Sequence, residues 1–94
     1  MNVQRTIAVK KSEDYRLYLL DTGDLAKMIY ANDDYVVMFE LKWNGEYTSK
    51  TSYVITPLAM QKRETGNMLT LNERNYTVKL NNAIIDACYD FVNV

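Results

Sequence analysis

Four groups of side chains in this sequence have types and spacings that could do chemistry. Asp21, Thr22 and Gly23 follow two leucines, Asp86 and Asp90 stand four residues apart, Asp33 and Asp34 are adjacent, and Cys88 is the one thiol. The chain has no histidine, so neither a Ser-His-Asp nor a Cys-His relay can be assembled, and there is no imidazole general base. One Cys without His cannot fill a tetrahedral zinc shell. The three glycines, at 23, 45 and 66, form no phosphate-cradling loop closed by Lys-Ser or Lys-Thr. Asp33 and Asp34, even taken with Asp21 and Asp24, lack the spaced oxygen ligands and closing Glu of a calcium loop, and read as turn and cap residues. No metal, no cofactor and no catalytic residue is expected.

The string Leu19-Leu20-Asp21-Thr22-Gly23 resembles the active-site signature of retropepsin-like aspartic proteases. The resemblance implies a dimer in which two copies of Asp21 share one proton. It covers five residues. Asp24 stands where that family has Ala or Ser, and Asp86 follows Ile84-Ile85 where the second family signature has Gly. The glycine-rich flap is missing. The bottom-up reading of Asp21-Thr22-Gly23-Asp24 is a turn and helix cap, with the protease as a remote alternative.

The other groups have structural readings. Asp86 and Asp90 share a helix face opposite an apolar arc, where both are solvated. Cys88 lies near the centre of that arc, with no sequence cation beside it to stabilise a thiolate, and reads as a buried structural thiol. Tyr15, Tyr35, Tyr47, Tyr53 and Tyr76 fall on expected strands, and Trp43 stands beside a turn. Such aromatics pack across strands, and they are also enriched at protein interfaces. Trp43, Tyr47 and the adjacent Lys42 are the candidate protein-binding residues.

The elements that must position these groups follow from period and punctuation. Alternation predicts strands over 3–9 and 15–20, the latter apolar on both sides, with a charged turn between. Leu25, Met28 and Ile29, at i, i+3 and i+4, predict a short helix over 24–31. Residues 35–56 predict a hairpin, with a three-residue loop Asn44-Gly45-Glu46 that pairs Trp43 with Tyr47, Val37 with Tyr53 and Tyr35 with Ile55. Residues 57–64 are open between helix and extended chain. A second hairpin is expected over 68–71 and 76–80. A last helix is expected over 83–92, with Ile84, Ile85, Cys88, Tyr89, Phe91 and Val92 on one arc. Together these predict a single α+β domain over residues 1–94: a mainly antiparallel sheet of five or six strands, with two short helices packed on one side.

The bulk properties bound the function. The 94-residue chain has net charge −1, and its longest basic runs are the pairs Lys10-Lys11 and Lys62-Arg63. Affinity for nucleic acid comes mainly from neutralising several phosphates at once, so nucleic acid is a disfavoured partner. The longest uninterrupted apolar run, Tyr35 to Phe39, is far short of the ~20 residues of a membrane span. The N-terminus lacks the apolar stretch of a signal peptide, so the expected location is cytoplasmic. With no catalytic set, the expected function is that of a small protein-binding domain, a regulator or inhibitor of a host protein of the kind phages and mobile elements encode. The alternative is a structural or self-assembling subunit of a virion or other complex. A homodimer is compatible with both, and the identity of a protein partner is not written in the sequence.

Overall fold

A computed structural model describes residues 8–22 and 25–93, the side chain of Thr22 excepted. Runs of alternating apolar and polar residues build six strands: β1 (Ala8–Lys11), β2 (Arg16–Thr22), β3 (Ala26–Ala31), β4 (Tyr35–Trp43), β5 (Tyr53–Lys62) and β6 (Met68–Leu69). Each pairs antiparallel with its neighbours in sequence, so the sheet is a meander in the order β1-β2-β3-β4-β5-β6. A 3-10 turn (Lys50–Ser52) leads into β5, and one helix, α1 (Val78–Asn93), follows β6. The expected α+β class and antiparallel sheet are observed. No helix among the described residues is long and apolar enough to cross a membrane.

Period two decides which face of each strand meets α1. Leu17 of β2, Met28 and Tyr30 of β3, Val37, Phe39 and Leu41 of β4, and Met60 of β5 point to one side. Leu80, Ile84, Ala87 and Cys88 close over them from α1. The opposite face of the sheet is covered by no described element. The strand expected over 15–20 is therefore packed by the helix on one side only.

The turns use side-chain acceptors. Asn32 Oδ1 accepts the N–H groups of Asp34 at 2.8 Å and Tyr35 at 2.7 Å, which closes the β3–β4 turn. Gly66, at φ 74°, takes the left-handed conformation that the β5–β6 turn requires, and its N–H donates to the Lys62 carbonyl at 2.8 Å.

Four expectations are corrected. Residues 26–31 form a strand, not the second helix expected over 24–31; Gly23 and Asp24 lie outside the described residues. An isolated helix of that length is marginal, whereas a strand here pairs on both sides, Tyr30 lying between Leu17 and Val37. The second hairpin keeps only Met68–Leu69, paired to Met60 and Gln61. Its other half is the first turn of α1, because Thr77 Oγ1 caps the helix by accepting the Leu80 N–H at 3.1 Å, and Leu80 then shares the buried face with Ile84. The β4–β5 register differs too: Trp43 pairs with Tyr53, Leu41 with Ile55 and Val37 with Met60. Of the strand expected over 3–9, residues 3–7 lie outside the described residues, while Ala8 and Val9 continue through the expected turn residues Lys10 and Lys11 as β1. The open segment 57–64 is extended through Lys62, with Leu58 left unpaired in a bulge between Pro57 and Ala59.

Candidate functional site

The β4–β5 connection spans residues 44–52 rather than three, and that length creates the most distinctive surface of the molecule. Asn44 N–H donates to the Ser52 carbonyl at 2.8 Å, and Ser52 N–H donates to the Ser49 carbonyl at 3.0 Å, so the loop folds on itself. Tyr47 and Trp43 are not the expected cross-strand pair. They nevertheless come together, because Trp43, Gly45, Tyr47 and Val92 of α1 line one surface hollow of about 380 Å³. Trp43 is 38% exposed and Tyr47 56% exposed. Lys42 does not join them: it faces the opposite side of the sheet, in register with Val54. Val92 and Gly45 are site residues that the sequence did not single out. Val92 was legible only as part of the apolar arc of α1, and Gly45 only as a turn residue.

The hollow is held from behind. The Trp43 ring meets Tyr53 edge-on, with centroids 5.9 Å apart and planes at 83°. Tyr53 is buried, packs against Tyr89 at 5.9 Å, and donates its hydroxyl proton to the Tyr47 carbonyl. Asn93 Nδ2 donates toward the same Tyr47 carbonyl at 3.0 Å, the Tyr53 hydroxyl at 3.2 Å and the Tyr89 carbonyl at 3.0 Å. Lys50 Nζ reaches Asp86 Oδ1 at 3.0 Å and lies 5.2 Å from the centroid of the Tyr89 ring. The hydrogen bond that the Lys50 ammonium donates to Asp86, and the charge of that carboxylate, raise the pKa of Lys50. The loop is thus tied to the C-terminal half of α1 by two independent sets of contacts. An aromatic presented on such a support loses little freedom when a partner covers it.

The groups that could have done chemistry are placed as follows. Asp21 is exposed on β2 beside a bulge and in register with Lys27, not in a strand-to-helix turn. Asp86 and Asp90 are both exposed on α1, and Asp86 is occupied by Lys50. Asp33 and Asp34 form the β3–β4 turn. Among the described residues, no three His, Cys, Asp or Glu side chains converge as a metal site. Cys88 is fully buried, and burial pushes its thiol up to about 12. At neutral pH it is a small apolar side chain of the core, not a nucleophile.

No protein-family model, no curated protein and no solved structure matches this chain significantly.

Proposed function

We propose that the chain is a non-catalytic protein-binding domain, acting as a regulator or inhibitor that seats an apolar side chain of its partner between Trp43, Tyr47 and Val92. The observation that carries this is the pairing of two exposed aromatic rings with a rigid backing of hydrogen bonds. Interface anchors are enriched in Trp and Tyr, and few residues supply most of the binding energy. The hollow is lined by four residues. Its walls suit one protruding side chain rather than a small molecule, which needs ~70–90% of its surface enclosed. The loop's cation, Lys50, is engaged by Asp86, which leaves the rings without the basic funnel of a base-stacking site.

A peptide-display selection against the folded protein tests this. Enriched peptides are expected to share an aromatic or large aliphatic anchor. Trp43→Ala is expected to weaken them by more than ~30-fold, the loss of over ~2 kcal/mol typical of an anchor. The same variant gives up the edge-on contact with Tyr53, worth only about 0.5–1.5 kcal/mol beyond its area, so it stays folded. A thermal melt run beside the titration separates the two effects. Peptides that bind wild type and Trp43→Ala equally would move the binding site elsewhere.

A further inference from the structure

The face of the sheet that no described element covers carries a row of apolar side chains in register across five strands. Val9 of β1 pairs with Tyr18 of β2, Tyr18 with Ile29 of β3, Ile29 with Met38 of β4, and Met38 with Ala59 of β5. One step along the strands, Lys27 of β3 pairs with Glu40 of β4 on the same face. A shallow hollow of about 160 Å³ lies at the β5–β6 end, between Met38, Val36, Ala59 and Met68.

We propose that this face binds a second copy of the same chain, in a two-fold sandwich whose axis runs parallel to the strands between β3 and β4. This goes beyond the hollow at Trp43 and uses the other side of the sheet. The argument is self-complementarity. Rotation about that axis exchanges the columns of the sheet and keeps the rows. It sets Ile29 of one copy over Met38 of the other, Tyr18 over the small Ala59, and Lys27 over Glu40. Each contact occurs twice, as an isologous interface requires. A bulky ring meets the smallest side chain of the row, and Lys27 meets Glu40 of the other copy. Paired sheets cross at about −30°, which splits evenly about such an axis.

The edges of the sheet point the same way. Among the described residues, edge strand β1 carries Lys10 and Lys11, and edge strand β6 has only two residues, both features that block strand addition. The four central strands at ~4.8 Å and six residues at ~3.4 Å give a flat footprint of roughly 400 Å², to which β1 adds four residues and β6 two. Side-chain relief raises the area buried, toward the ~800 Å² per partner of a standard interface, so a reversible dimer in the micromolar range is expected. The two hollows at Trp43 remain on the outer sides.

Sedimentation equilibrium on the full chain tests the proposal. Wild type is expected to dimerise, and Lys27→Glu and Glu40→Lys are each expected to weaken the dimer at least ~10-fold by setting like charges opposite one another. An equimolar mixture of the two variants is expected to recover affinity to within about threefold of wild type, because each new charge then faces its opposite across the interface. Only an intermolecular contact predicts that recovery, since neither chain of the mixture regains its own pair. Isotope-filtered NMR on a half-labelled wild-type sample supplies a second readout that needs no variant: intermolecular contacts between the Ile29 and Met38 methyl groups. A wild type that stays monomeric to millimolar concentration, a mixture as weak as its components, open-ended assembly, or a dimer without those methyl contacts would each overturn the proposal.

Discussion

Raising the pH from 9.0 toward about 12 is expected to unfold the protein cooperatively, because Cys88 can ionise only when the core opens. Burial lifts the thiol from its ordinary 9.0 to about 12. Above 9.0 the unfolded chain loses this proton while the folded chain keeps it, so the unfolded state binds fewer protons and stability falls as pH rises. The contribution is fully present below 9.0 and is lost as pH climbs to about 12. Three pKa units correspond to about 4 kcal/mol, a large share of the ~5–15 kcal/mol that holds a domain folded. Burial also raises the Tyr76, Tyr30 and Tyr15 hydroxyls above their ordinary 10.0, and these losses have the same sign and begin about one unit higher. Far-UV circular dichroism against pH measures the transition. Cys88→Ala removes the thiol's share and is expected to move the midpoint to higher pH. A fold intact at pH 12, or an identical midpoint in Cys88→Ala, would refute the assignment.

Phe39→Ala is expected to cost about 3–5 kcal/mol, the range for truncating a buried aromatic. Phe39 is 0% exposed, stands in the middle of the nine-residue β4, and lies in register with Met28 on one side and Pro57 on the other. The core forms as one layer between sheet and helix, so the cavity cannot be filled without moving β4 or α1, and neither collapses easily. Urea unfolding measures the loss as a lower midpoint at nearly constant slope. A change below about 1 kcal/mol would show that the helix does not press on Phe39 as described.

The two results depend on different kinds of information. Cys88 was legible as a buried thiol because Ile84, Ile85, Cys88, Tyr89, Phe91 and Val92 repeat at the helical period, and the structure buries Ile84 and Cys88 completely. Alternation put Tyr15, Leu17 and Leu19 on one side of the second strand but left it apolar on both, and only the packing shows that Leu17 and Leu19 meet the core. On β4, Val37, Phe39 and Leu41 alternate along the side that the structure buries. The partners of that strand were not legible. Register between β4 and β5 depends on where the chain turns, and Asn44-Gly45 resembles a tight turn when the loop in fact runs to Ser52. That displacement of the register separated Trp43 from Tyr47 as cross-strand partners and seated both against Val92 instead.

Composition and local period by themselves determined the class of the fold, the antiparallel sheet, the C-terminal helix with its buried thiol, and the absence of any histidine-based chemistry. These follow from residue types and from spacings of a few positions, which act before any distant contact forms. Only the tertiary structure decided that residues 26–31 are a strand, that Lys42 faces away from Trp43, that Val92 completes the aromatic hollow, and that Tyr18, Ile29, Met38 and Ala59 form one uncovered row. Three of those outcomes depend on the pairing and register of neighbouring strands, and the fourth on α1 returning to the β4–β5 loop; a segment that fits two local periods takes the one whose backbone its neighbours can satisfy.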